Sequence, residues 1–256
     1  MIHPQAIVDP NAKLAPGVSV GPWSRIGADV EIGEKTEIAS HVVIDGPTFI
    51  GQRNKIFSFN AIGGDSQDKK YAGEPVSLQI GNDNVIREFC TLNRGTEQGG
   101  GVTRVGNNNW LMAYVHIAHD CTVGDGVVMA NNASLAGHVT IGDQVTLGGF
   151  ALVHQFCEID CHSFVAMGSV VLKDVPPYLM ISGNPAKPHG LNSEGLKRRG
   201  FSEETIRWLK RGYKTVYKRG LALDQAVVEL TMLEKECAEI STLRAFLEAS
   251  SRGIIR

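Results

Sequence analysis

The sequence predicts an all-β solenoid of stacked triangular coils with a C-terminal α-helical domain. Three observations predict it: a six-residue aliphatic period along most of the chain, a small residue four places after each aliphatic one, and an amphipathic tail rich in Lys and Arg. From Ile2 the chain reads in sixes, IHPQAI, VDPNAK, LAPGVS and onward to IGGDSQ. Asp68 to Gln79 break the phase for twelve residues, and Gln98 to Arg104 break it for seven more. The last run ends at Pro176, which gives 26 hexads whose first residue is Ile, Leu or Val, with Met129 the single departure. The fifth residue is always Ala, Val, Ser, Thr, Cys or Asn.

Six residues at ~3.3 Å each make one short strand and its corner. Residues four apart on an alternating strand share a side, so the aliphatic and the small residue both point inward. An amphipathic helix would repeat every ~3.6 residues and does not produce this register. Three hexads close an 18-residue coil, coils stack about 4.8 Å apart, and backbone hydrogen bonds run from coil to coil. Glycines at position two, with the small fifth residues, are expected to permit the corners.

An open coil end presents unpaired backbone groups, so a cap is expected over the last coil. The tail supplies one. Ser202 is placed to cap a helix whose first turn holds Glu203 and Glu204, and Ile206, Leu209, Tyr213, Val216 and Tyr217 fall on one face before Gly220 ends it. Further helices are expected over residues 224–237 and 240–250, and the stretch DVPPYLMISGNPAKPHG reads as a connecting loop. The domains expected are a solenoid over 1–190, with insertions at 68–79 and 98–104, and a helical domain over 191–256.

Composition narrows the function. At 43% hydrophobic and 20% charged, 256 residues do not describe a disordered chain. No run approaches the ~18 apolar residues of a membrane span, and MIHPQAIVDP lacks the basic and apolar regions of a secretory signal. Five cysteines without paired spacing fit small buried hydrophobes in a reducing, cytoplasmic setting. A net charge of −2 gives no sign of nucleic-acid binding. From Ser193 onward, however, thirteen Lys/Arg meet nine Asp/Glu, against twelve and eighteen in the remainder. That basic tail suits a phosphate or an acidic partner, and a solvated helical face would carry the same charges.

Coiling turns residues 18 apart into vertical neighbours. Gln155 then stands over Gly137 and His119, Phe156 over His138 and Asp120, and His154 one column over. Four of the eight histidines (His116, His119, His138, His154) fall in or beside this patch, none at the inward first or fifth position. Zinc would need converging imidazoles, and the close pair His116-x2-His119 is wrongly spaced, so no metal and no cofactor is expected. Cys121 and Ser134 occupy inward or doubtful positions for a nucleophile. General-base chemistry fits better. A histidine takes a hydroxyl proton near neutral pH, Asp120 can hold the His119 ring in the productive tautomer, and the Gly137 N–H is open to an oxyanion.

The segments QDKKYAGEP (67–75), NRGT (93–96), VHIAHD (115–120), NNASLAGHV (131–139), VHQFC (153–157), DVPPY (174–178) and EGLKRRGFS (194–202) together resemble one family, the UDP-N-acetylglucosamine O-acyltransferases that begin lipid A synthesis. The resemblance implies a left-handed parallel β-helix, a 3-hydroxyacyl donor on acyl carrier protein, and transfer to the sugar 3-hydroxyl. It also implies a homotrimer whose active sites lie between subunits, with the first insertion reaching toward a neighbour. In its terms His119 is the general base, Asp120 its orienting partner and the Gly137 amide the oxyanion donor. Gln67, Asp68, Lys70, His116, His138, His154 and Gln155 position substrate. Asn192, Glu194, Arg198 and Arg199 contact the nucleotide, where the planar fork of arginine matches phosphate oxygens.

Two positions depart from the pattern. Asn93 stands where the family often has His. Met167 stands at the position of the family's hydrocarbon ruler, where members taking long chains have Gly, and implies a donor of about ten carbons, since each methylene left unburied forfeits ~0.8 kcal/mol. A CoA-dependent sugar or serine O-acetyltransferase on the same coil and a non-catalytic β-solenoid are the competing readings.

Overall fold

The computed structural model describes residues 1–256. Its strands, two to five residues long, assemble into three sheets of nine, eight and ten strands, the faces of a triangular prism. Along the coils each sheet takes every third strand and all pairings between coils are parallel; only the last two strands of the ten-stranded sheet depart from that order. The fold is a left-handed parallel β-helix followed by helices. Regular coils pair in an 18-residue register, as in Ile117 against Leu135 and Leu135 against Val153.

First-position residues form the axial column the hexads predict; Ile26, Ile44, Ile62, Leu92, Ile117 and Leu135 are each 0% exposed within a cluster of 43 buried residues. Burying such a side chain contributes about 1.5–3 kcal/mol before chain entropy is charged against it. The fifth position is buried too, and its polar members bond across coils. Asn54 Oδ1 accepts from the Asn84 N–H, Asn84 Oδ1 from the Asn109 N–H, and Asn109 Oδ1 from the Val127 N–H. Each asparagine thus satisfies a backbone donor that would otherwise be buried unpaired.

The corners are built differently from the sequence expectation. The left-handed backbone falls at position four, and mostly on residues other than glycine, including Asp120 (φ 60), His138 (φ 61) and Phe156 (φ 64). Position-two glycines serve close approach instead. A β-carbon on Gly21 would lie 2.6 Å from the Ala39 carbonyl carbon of the coil above.

Both insertions lie earlier than the aliphatic phase suggests. Ile50 pairs with Ile80 and Ile80 with Val105, offsets of 30 and 25, so the lengths twelve and seven hold. The segments between strands that take up these added residues, however, are 65–76 and 94–101, twelve and eight residues long, because Ser77–Ile80 and Val102–Val105 are already strand before the next aliphatic residue arrives. The second loop contains a 3-10 turn, Glu97–Gly99, capped by Thr96.

The expected connecting loop contains an antiparallel hairpin, Leu179–Ser182 with Lys187–Leu191, which extends the ten-stranded sheet. Four helices follow: α1 (Ser193–Arg198), α2 (Glu203–Tyr217), α3 (Leu223–Leu233) and α4 (Ile240–Ala249). Ser202 caps α2 through the Thr205 N–H, and Ile206, Leu209, Tyr213 and Val216 are buried. The helix expected over 224–237 is shorter, and α1 has no counterpart in the sequence reading. The chain then returns to the coil, where Ile254 bridges Asp174 and the Ile255 N–H donates to the Asp174 carbonyl, covering part of the open edge. No helix is long and apolar enough to cross a membrane.

Candidate active site

The corner between the nine- and eight-stranded sheets carries Ala118 to Cys121, since Ile117 ends a strand of the first and Thr122 begins a strand of the second. His119 Nδ1 lies 2.8 Å from Asp120 Oδ2. The imidazole keeps 14% of its side-chain surface exposed and the carboxylate 1%. Asp120 is held by groups the sequence reading missed. Thr96 donates its N–H to Oδ1 at 2.8 Å and its hydroxyl to Oδ2 at 2.6 Å, while Thr103 Oγ1 accepts the Asp120 N–H at 2.8 Å.

One coil on, Gly137 meets the His119 ring face to backbone: a β-carbon there would lie 2.4 Å from Cε1 and 2.6 Å from Nε2. Third-position N–H groups on another corner are consumed by side chains of the next coil, Asn82 by Asn107 Oδ1, Asn107 by Asp125 Oδ1 and Asp125 by Asp143 Oδ1. The Gly137 N–H has no protein acceptor, although the N–H groups of Ala136 and His138 on either side are bonded. An unclaimed donor beside an imidazole is what a developing oxyanion needs.

His138, not His116, is the nearest imidazole partner of His119, edge-on with ring centroids 5.1 Å apart. It stacks on Phe156 at 4.4 Å, and its Nε2 is 3.7 Å from Asp120 Oδ2. Burial holds His138 below the ordinary histidine range, with Asp120 and Asp68 pulling the other way. His116 is likewise lowered by burial, and its Nδ1 pairs with Thr91 Oγ1 at 2.7 Å. Donor atoms of His119, Asp120 and His138 fall within 4.8 Å of one another, a set of two imidazoles and one carboxylate. The fold thus brings His119 together with His138, not with His116 of the wrongly spaced pair. In this geometry both Asp120 oxygens already accept bonds from protein donors.

Burial pushes the Cys121 thiol up to about 12, and its Sγ donates to the Ala136 carbonyl, so it is no nucleophile near neutral pH. Ser134 donates its hydroxyl to Asn132 O. His154 and Gln155 are exposed on the coil above, with His154 Nδ1 3.1 Å from Gln155 O. Gln67 and Lys70 are exposed on the first insertion, and Asp68 is half-buried, close enough for its charge to act on His138.

Two predicted groups lie elsewhere on the chain. Asn192, Glu194, Arg198 and Arg199 line a cavity of about 490 Å³ with Phe164 and Met180 of the ten-stranded sheet, a different face from the His119 corner. Asn192 caps α1 and donates to His162 O, and Arg199 reaches Gln144 O at 3.5 Å. Met167, 78% exposed, stands on the corner between the ten- and nine-stranded sheets. Asn93 is buried and braces the first insertion by donating Nδ2 to Asp65 O at 2.7 Å.

Coil, cap and histidine corner together describe a hexapeptide-repeat acyltransferase. Residues 103–137 match the bacterial transferase hexapeptide (six repeats) model, and residues 174–255 match the second domain of UDP N-acetylglucosamine O-acyltransferase. The acyl-(acyl-carrier-protein)–UDP-N-acetylglucosamine O-acyltransferase of Thiobacillus denitrificans is 57% identical over 255 residues, covering 100% of this chain and 99% of that one. The enzyme of that name from Janthinobacterium sp. is 55% identical, with 100% and 99% covered. The crystal structure of UDP-N-acetylglucosamine O-acyltransferase from Moraxella catarrhalis superposes with a TM-score of 0.98 at 49% identity, covering 100% and 99%. The chain belongs to the acyl-(acyl-carrier-protein)–UDP-N-acetylglucosamine O-acyltransferase family.

Proposed function

We propose that the protein transfers a 3-hydroxyacyl group from acyl carrier protein to the 3-hydroxyl of UDP-N-acetylglucosamine, the first step of lipid A biosynthesis, by general-base catalysis. His119 takes the proton of the sugar hydroxyl as that oxygen attacks the thioester carbonyl carbon. The Gly137 N–H steadies the tetrahedral oxyanion, and the carrier thiol departs with the proton returned from His119. Asp120 holds the ring so that Nε2 faces substrate and stabilises the imidazolium that forms. The observation that carries this reading is the unclaimed Gly137 N–H against the ring of the His119–Asp120 pair.

The active unit in this proposal is a homotrimer. One chain holds its base, its basic nucleotide cavity and Met167 on three different parts of the prism, so a single substrate reaches all three only where subunits meet. Five free cysteines, their thiols all pushed up to about 11 or 12 by burial, suit a cytoplasmic protein. His119→Ala tests the mechanism. Turnover of a UDP-sugar and acyl carrier protein thioester should fall by about 10²–10⁴ with the unfolding midpoint retained, and near-normal turnover rejects the assignment.

A further inference from the structure

Asp120 is an almost fully buried carboxylate, and what surrounds it comes from the strand edge and loop of the second insertion. Thr96 gives it two hydrogen bonds, one to each oxygen. The insertion packs so closely that a β-carbon on Gly99 would lie 2.0 Å from the Asp120 carboxyl carbon, and one on Gly95 2.8 Å from Oδ1. Thr96 also opens the 3-10 turn, accepting the Gly99 N–H at 3.3 Å, so turn and carboxylate are fixed by one side chain. The same Oδ2 that receives the Thr96 hydroxyl faces His119 Nδ1.

We propose that Thr96 is a positioning residue for the transfer reaction, and that the seven-residue insertion serves to bring it onto Asp120. The inference rests on His119 being the base. The hydroxyl shares the charge on Oδ2 with the imidazole and fixes the carboxylate plane, which leaves His119 with one tautomer and an open Nε2. Remove the hydroxyl, and Oδ2 keeps only imidazoles beside it, His119 Nδ1 at 2.8 Å and the more distant His138 Nε2 at 3.7 Å, so its charge bears chiefly on His119. The imidazolium is then held more tightly, the base stays protonated to higher pH, and the acid limb of kcat moves upward. Asp120, His116, His138, Asp68 and Cys121 are the other titratable groups around this corner, Glu97 stands on the turn that Thr96 caps, and all remain in every variant.

The experiment measures kcat against pH and thermal unfolding for the full-length protein and for Thr96→Val, Thr96→Ser, Gly99→Ala and His119→Ala. Thr96→Val is expected to lower kcat about tenfold and to move the acid limb up by about half a unit or more. Thr96→Ser, which keeps the hydroxyl, restores both. Gly99→Ala leaves Thr96 in place but forces the turn off the carboxylate, so it should move the limb in the same direction, and it serves if Thr96→Val does not fold. A limb that stays at the wild-type pH in the folded variants overturns the proposal, whatever happens to the rate, because lost packing alone does not retitrate the base. Full activity in His119→Ala would instead overturn the underlying mechanism and is read separately.

Discussion

A β-carbon at Gly137 would fall within 2.4 Å of the His119 ring, so Gly137→Ala must push the imidazole aside or tilt the corner. A displacement of about 1 Å at a reacting group costs on the order of a hundredfold, and kcat should fall by that much while far-ultraviolet circular dichroism stays unchanged. Unaltered kcat would show that substrate does not use this wall. His116 gives a second expectation. Burial keeps its folded pKa below that of the unfolded chain, so the native state binds fewer protons as acid is added. The stability it contributes is complete above the unfolded value of about 6.5 and drains as pH falls below it. The melting temperature should therefore drop between pH 7 and pH 5 less steeply in His116→Asn than in the parent, and identical slopes would contradict it. At this scale the sequence is legible where contacts follow the 18-residue offset: His119 against Gly137, and His138 against Phe156. Thr96 was hidden because its contact spans 24 residues and passes through an insertion, and because a fifth-position threonine reads as an inward spacer. The NRGT segment, set directly before a break in the phase, was the available signal.

Among the elements, strands declared themselves through their inward residues, while their ends did not. Pairing of Ser77–Ile80 begins before the aliphatic residue that marks the phase, and a six-residue helix such as α1 has too few turns to establish a period. The left-handed corners were equally silent, since Trp, Asp, Lys, His, Arg and Phe all occupy them. Helix α2 was readable because a serine cap, two acidic residues and one apolar face agree. The returning tail is the element whose energetic weight follows most directly from its position. Ile255 is 3% exposed and belongs to the coil's own core cluster, and Ser250 donates its hydroxyl to Asp174. Ile255→Ala should cost about 2–5 kcal/mol in denaturant unfolding, and a loss below about 0.5 kcal/mol would mean the tail only drapes the surface.

For the molecule as a whole, the trimer proposed above assigns donor choice to a groove between subunits. Met167 is exposed on one chain, at a corner away from His119, and in the proposed trimer it would end the channel that receives the acyl tail. Met167→Gly should move the preferred donor from about ten carbons toward longer chains by several methylenes, each worth ~0.8 kcal/mol once buried. Competition among acyl carrier protein thioesters, read by mass spectrometry of the product, checks this; an unchanged optimum would detach Met167 from chain length. Neither neighbour nor tail is visible to a repeat, which explains why periodicity yields the prism and stops short of the substrate. The register has a last consequence for how such a chain can change in length. Eighteen added residues make the tower one storey taller and leave every face above in line. Six added residues also keep the aliphatic column inward, yet they turn all later storeys by a third of a revolution, and the His119 corner no longer stands over the segment that holds Asp120. Growth by whole floors, or by balconies such as residues 65–76 and 94–101, is the architecture's permitted form of insertion.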